Sequence, residues 1–160
     1  MFDPIVHISS PITLLGGADT DNSQLNICLK VAPSVVAADG GADHALRHGL
    51  TPIAVIGDMD SLSVAAGAAF ASGLHRVSEQ DSTDFEKCLT RIVAPLIMAT
   101  GFLGGRLDHT LAVLGTLARL RAHHVILVSQ DDVCVLLPQG RSTWHLSPGL
   151  RAGVLPLGQA

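Results

Sequence analysis

Short apolar runs alternate with segments of helical spacing along most of the chain, and glycine or aspartate marks nearly every junction between them. Ile12 to Leu15 is an apolar run ending in Gly16-Gly17-Ala18-Asp19, and Leu25 to Val31 follows with a partly helical pattern. Val35 to Ala38 runs into Asp39-Gly40-Gly41-Ala42-Asp43, then Ala42, Ala45 and Leu46 fall at helical spacing up to Gly49. Pro52 to Ile56 leads into Gly57-Asp58-Met59-Asp60-Ser61, after which Leu62, Ala65, Ala66, Ala69 and Phe70 keep the helical period as far as Gly73. Leu74 to Ser78 predicts a weaker strand. Thr83 and Glu86 have capping-box spacing and open a helix whose stripe is Phe85, Cys88, Leu89, Ile92 and Val93. Ile97 to Leu103 predicts another strand, and Gly104-Gly105 opens a helix whose buried side is expected to be Leu107, Leu111, Leu114 and Ala118. Val125 to Val128 and Val133 to Leu137 read as strands on either side of a turn at Asp131-Asp132.

Repeated strand–turn–helix units with near-continuous apolar strands predict an α/β fold: a doubly wound, mostly parallel, Rossmann-like sheet with helices on both faces. From about Gln139 the pattern changes, with Gly140, Pro148, Gly149, Gly153, Pro156 and Gly158 punctuating short extended pieces at Ser142 to Leu146 and Val154 to Leu157. Residues 1–138 are therefore expected to form the α/β domain. Residues 139–160 are expected to supply a short β tail, read as a linker and the first strands of a second, all-β domain.

Composition narrows the function. With 160 residues, 48% of them hydrophobic, the chain suits one well-buried domain. A net charge of −4 and only two lysines, Lys30 and Lys87, argue against a nucleic-acid face. Cys28, Cys88 and Cys134 are odd in number and set among apolar neighbours, which favours reduced core thiols and a cytoplasmic location. Met1-Phe2-Asp3-Pro4 lacks a basic signal region, and the apolar runs are too short to span a membrane, so a soluble protein is expected.

Candidate chemistry centres on Gly57-Asp58-Met59-Asp60-Ser61. Extended residues i and i+2 point to the same side, so Asp58 and Asp60 are expected to project together from a strand end. At about 4 Å and an effective dielectric near 20, two such charges repel by roughly 4 kcal/mol. A cation would relieve that repulsion, and a solvated polar turn before the next helix is the alternative for an isolated pair. Placement on the sheet favours the cation. Ligands gather at the carboxyl ends of strands in an open α/β sheet. Asp39, Asp43, Asp58, Asp60, Asp81, Asp84 and Asp108, seven of the fourteen acidic residues, fall at such positions in four short motifs. Oxygen ligands without cysteine or a close histidine pair favour Mg²⁺ over zinc, and Mg²⁺ held this way completes its shell with water and phosphate oxygens. Gly16-Gly17, Gly40-Gly41 and Gly104-Gly105 would admit phosphates to backbone amides, with Arg106 and Lys87 as nearby cations. Neither a P-loop nor a full G-x-G-x-x-G is present.

The motifs A-D-G-G at 38–41, G-D-M-D-S at 57–61, D-S-T-D-F-E-K-C-L at 81–89 and G-G-R-L-D-H-T-L-A at 104–112 resemble, in order, the signature of the thiamin pyrophosphokinase (thiamin diphosphokinase) family. The resemblance covers roughly residues 12–137, and V-L-P-L-G at 154–158 is similar to the start of that family's second domain. Met59 stands where phenylalanine is frequent, leaving both carboxylates in place. The resemblance implies transfer of pyrophosphate from ATP to the hydroxyl of thiamin, giving thiamin diphosphate and AMP. It implies Mg²⁺ on Asp39, Asp58, Asp60 and Asp81, and nucleotide and phosphates held by Gly16, Gly17, Gly40, Gln80, Thr83, Asp84, Lys87, Gly105 and Arg106. Asp58, Asp60, Asp81, Arg106 and Asp108 are the implied catalytic groups, with Asp108 orienting Arg106 and no residue declaring itself a general base.

It further implies a homodimer whose thiamin site is built partly by a following β-sandwich. The 160 residues are therefore expected to hold the nucleotide and metal machinery with an incomplete thiamin pocket, either because the chain is truncated or because this member is short. Two rivals remain at this level: a pyrophosphokinase for another hydroxymethyl heterocycle such as a pterin, and a nonenzymatic nucleotide-binding regulatory domain. Asp84 is open to a helix-dipole and Lys87-pairing role as well as ligand contact. His109 reads as structural or substrate-facing. His44, His48, His123, His124 and Trp144 read as surface or packing residues.

Overall fold

The computed structural model describes residues 3–137 and 139–157; Met1-Phe2, Pro138 at the expected domain boundary and Gly158 to Ala160 lie outside them. In chain order the elements are β1 (Val6–His7), β2 (Ile12–Leu15), α1 (Asn22–Val31), β3 (Ser34–Ala38), α2 (Gly41–Arg47), β4 (Ala54–Gly57), α3 (Val64–Ala69), a 3₁₀ turn (Ala71–Gly73), β5 (Leu74–Arg76), α4 (Asp84–Leu89), β6 (Ile92–Val93), β7 (Ile97–Thr100), α5 (Leu107–Arg119), β8 (Val125–Val128) and β9 (Val133–Val135). The result is a mixed α/β fold with a mostly parallel central sheet. Seven strands lie in the order β5-β4-β3-β2-β7-β8-β9, and every pair is parallel except β8–β9. β1 and β6 form a separate parallel pair.

Alternation along the strands divides the core. Ile12 and Leu14 of β2, Val36 and Ala38 of β3 and Ile56 of β4 pack with Phe85, Cys88 and Leu89 of α4 and Val113 and Leu117 of α5. The intervening residues Leu15, Val35, Ala37 and Val55 pack with Leu25 of α1, Ala42 and Ala45 of α2 and Ala66 of α3. Strands buried on both faces read as near-continuous apolar runs, which is why β2, β3, β4 and β8 fall where the pattern places them; β7 starts as expected but ends at Thr100 rather than Leu103, because Gly101 turns the chain with φ 79°. Polar caps set the helix starts: Asp21 accepts the Gln24 amide, Ser63 the Ala66 amide and Thr83 the Glu86 amide. The cysteines are free thiols; burial pushes Cys28 up to about 11 and Cys88 higher still, which keeps both unreactive.

Three expectations are corrected. The α4 stripe does not continue through Ile92 and Val93: the helix stops at Leu89, where the Thr90 hydroxyl donates back to Glu86 O at 2.9 Å, and the β-branched pair forms β6 against β1. α5 buries Val113, Thr116 and Leu117; of the expected residues Leu114 packs half-buried on the core, whereas Leu107 is 71% and Leu111 57% exposed. The helix is turned so that Thr116 and Arg119 meet Glu86 of α4. The β tail is absent among the described residues: 139–157 contain no strand and stay exposed, since an extended piece needs a partner edge to satisfy its backbone.

Candidate functional site

Because the sheet is parallel through its centre, the loops after β3, β4, β5 and β7 leave from the same edge, and they surround a cleft of about 1260 Å³. Asp39 follows β3 directly with φ 40°, a left-handed conformation that aspartate tolerates better than most residues. It sits under the cleft floor, only 1% exposed. Its neighbour strand must supply a glycine at this level, because a Cβ on Gly57 would lie 2.7 Å from Asp39 Cβ.

Asp58 and Asp60 converge, though not by strand alternation. Met59 between them has φ 68°, so the chain turns there, and carboxylate oxygens of Asp39, Asp58 and Asp60 all lie within 4.8 Å of one another. The turn is pinned by Asp58 accepting the Asp60 amide at 3.3 Å, by the Ser61 hydroxyl donating to Asp60 at 2.9 Å, and by Asp39 Oδ2 accepting the Ser61 amide at 3.3 Å. Asp39 Oδ1 is buried without a hydrogen-bond partner. That orphan oxygen, beside two other carboxylates, is what a hard divalent cation would satisfy.

The electrostatics are uneven. Burial pushes Asp39 up to about 7; the Ser61 amide opposes this, and Asp84 and Asp58 add to it. Asp58 goes the other way, to about 2, chiefly because the Lys87 ammonium donates to it at 2.6 Å. Lys87 is 2% exposed and also donates to Asp84 at 3.1 Å. Burial works against its charge, but these two carboxylates outweigh it and hold the ammonium above its usual range. Burial raises Asp84, opposed by Lys87. One buried cation thus serves two carboxylates, leaving Asp39 and Asp60 without a cationic partner of their own among the described residues.

Of the other expected residues, Gly17, Gly40, Thr83, Gly105, Arg106 and His109 line the cleft. Gly104 and Gly105 have φ 86° and 65° with open space around them. Gly16 is set back and serves packing: a Cβ there would lie 2.3 Å from Gly101 O. Gln80 reaches Asp58 at 3.4 Å. Asp108 pairs with Arg106 at 2.5 and 3.1 Å in solvent. Asp81 is exposed and lies outside both the carboxylate group and the cleft lining. Trp144 is 54% exposed. Phe102 and Leu103 line the cleft without having been singled out in the sequence, and Phe102 packs on Phe85 with ring centres 4.8 Å apart. Their signal was only the continuation of the β7 apolar run into Gly104.

A family profile for the catalytic domain of thiamin pyrophosphokinase matches residues 25–128. Thiamine pyrophosphokinase 1 of Arabidopsis thaliana is 30% identical over a match covering 77% of this chain and 58% of that protein, and thiamine pyrophosphokinase 1 of Oryza sativa subsp. japonica is 28% identical over 86% and 61%. Among solved structures, thiamin pyrophosphokinase from Candida albicans superposes with TM-score 0.66 at 18% identity, covering 78% of this chain and 60% of that one. The enzyme from Geobacillus thermodenitrificans gives 0.62 at 26%, covering 74% and 59%. The chain spans about three fifths of the length of these relatives.

Proposed function

The chain belongs to the thiamin pyrophosphokinase family, and from that membership together with its carboxylate cleft we propose that it transfers pyrophosphate from ATP to the hydroxyl of thiamin, giving thiamin diphosphate and AMP. The carrying observation is the convergence of Asp39, Asp58 and Asp60 around an unpartnered buried oxygen, in a cleft that also holds Lys87 and Arg106. Neither a pterin-directed enzyme nor a regulatory nucleotide-binding domain finds support among the relatives. Reversal of the strand order on either side of β2, and the two core clusters, support reading the sheet as doubly wound and Rossmann-like.

The donor set suits Mg²⁺, all oxygen and all carboxylate, and Asp39, Asp58 and Asp60 would hold it. When bound with the nucleotide, the ion neutralises charge on phosphate oxygens. In the transfer the thiamin hydroxyl oxygen bonds to the β-phosphorus, the bond from that phosphorus to the α,β-bridging oxygen breaks, AMP leaves with the electron pair, and the hydroxyl proton is released. Gly17, Gly40, Thr83 and Gly105 place backbone and hydroxyl donors along the triphosphate. Arg106, aligned by Asp108, offsets charge that develops on the leaving side. Lys87 keeps Asp58 ionised and so ready for a cation at neutral pH. Gln80 and Asp84 position Asp58 and Lys87, and we assign Asp81 no direct contact. Much of the rate would come from alignment of the reactants.

Residues 139–160 are read as a connection toward the remainder of the acceptor site, and the working enzyme as a cytoplasmic homodimer. The free thiols accord with that compartment, and none of the described helices is long and apolar enough to cross a membrane. The test is a panel of hydroxyl acceptors with ATP, following AMP release and the product by phosphorus NMR. Thiamin diphosphate formation supports the proposal, and transfer to a pterin alcohol with none to thiamin refutes it.

A further inference from the structure

Helix α2 carries adjacent side chains that reach opposite walls of the cleft. Asp43 Oδ2 accepts the Ser63 amide at 3.1 Å. Four residues earlier, Asp39 Oδ2 accepts the Ser61 amide at 3.3 Å, so two carboxylates grip alternate amides of the segment that follows Asp60. On the other side His44, 6% exposed, has Nε2 3.3 Å from Gly17 O, and Arg47 Nη2 lies 2.9 Å from its Nδ1. A guanidinium only donates and a carbonyl only accepts, so the ring is the neutral tautomer with its proton on Nε2, donating to Gly17. The helix cannot drift from this place, because a Cβ at Gly41 would lie 2.0 Å from Leu15 O: its first turn is packed against the end of β2.

We infer that α2 is a brace for the cleft and that Asp43 and His44 are positioning residues, Asp43 holding the loop that brings Asp60 to Asp39 and Asp58, and His44 holding the Gly17 loop on the facing wall. Asp43 acts as a hydrogen-bond acceptor; its charge is not what the loop uses. The functional consequence rests on the metal-nucleotide reading above, whereas the structural consequence does not.

Two measurements on the full chain separate them. Amide hydrogen exchange of Ser63 should be slow in the wild type and in Asp43→Asn, whose side-chain oxygen still accepts, and faster by about tenfold in Asp43→Ala. A wild-type Ser63 amide exchanging at the rate of an open loop overturns the brace, with no variant needed. In calorimetric titrations of ATP against Mg²⁺, Asp43→Ala should raise the half-saturating Mg²⁺ concentration about tenfold while Asp43→Asn stays within about twofold. His44→Ala should weaken ATP binding at saturating Mg²⁺ and leave the Mg²⁺ half-saturation within about twofold. If Asp43→Asn binds Mg²⁺ as poorly as Asp43→Ala, the carboxylate charge meets the ion directly and the positioning role falls. If Asp58→Asn leaves the Mg²⁺ dependence intact, the metal reading falls instead, and the exchange result alone decides the brace.

Discussion

Asp39→Asn removes a buried charge with little change of shape, and its effect follows from the site's geometry. Asp39 is 1% exposed, and burial pushes its pKa from 3.8 to about 7. The folded state therefore holds a proton that the unfolded chain has already lost between about pH 4 and about pH 7, and stability present at low pH is lost as pH rises through that window. The full gap corresponds to about 4 kcal/mol. Burial holds His44 and His123 below their ordinary range, which contributes stability of opposite pH dependence in an overlapping window. For that reason the informative quantity is the difference between variant and wild type. Asp58, held near 2 by Lys87, titrates below the range of interest. In urea unfolding without divalent ions, the stability of Asp39→Asn relative to wild type should grow by about 2.5 kcal/mol between about pH 5 and about pH 8.5. Adding Mg²⁺ at ten times its dissociation constant should return about 1.4 kcal/mol to the wild type and much less to the variant. A difference that stays flat across the window would refute the argument that Asp39 is a strained, cation-seeking carboxylate.

Other outcomes follow from the same contacts. Gly57→Ala puts a methyl group 2.7 Å from Asp39 Cβ, so it should lower stability by about 1–3 kcal/mol and weaken Mg²⁺-dependent ATP binding, read by denaturation and calorimetry. Lys87→Met leaves Asp58 and Asp84 facing each other without their shared cation; a loss of about 3 kcal/mol in urea unfolding is expected. Arg106→Ala, in an exposed pair with Asp108, should leave Tm unchanged while lowering the rate of AMP release.

The strands and the edge they share were readable from the sequence because both sheet faces are buried, so β2, β3, β4, β7 and β8 appear as near-continuous apolar runs. Asp39, Asp58 and Asp60 were readable for the same reason, since they directly follow the apolar runs of β3 and β4, whereas Asp81 and Asp84 follow the short, largely exposed β5. How they meet was not. Asp58 and Asp60 converge through a left-handed Met59, and Asp39 lies beneath the floor because Gly57 leaves room for it. Helix ends and faces depend on tertiary partners. Thr90 and the β1 edge stop α4 before Ile92, and Glu86 meets the buried Thr116 and the exposed Arg119 of α5 while Leu107 and Leu111 stay exposed. Asp43 was visible only as one more acid of the rim, since its amide partner lies 20 residues away.

The central claim, that three convergent aspartates form a magnesium-dependent nucleotide site, is tested most directly by calorimetric ATP binding with and without Mg²⁺ in the wild type, Asp58→Asn and Asp60→Asn. The account predicts binding that requires Mg²⁺ in the wild type and loses that requirement together with most of its affinity in folded variants. ATP binding equally well without the ion, or unchanged Mg²⁺ dependence in both variants, would contradict it.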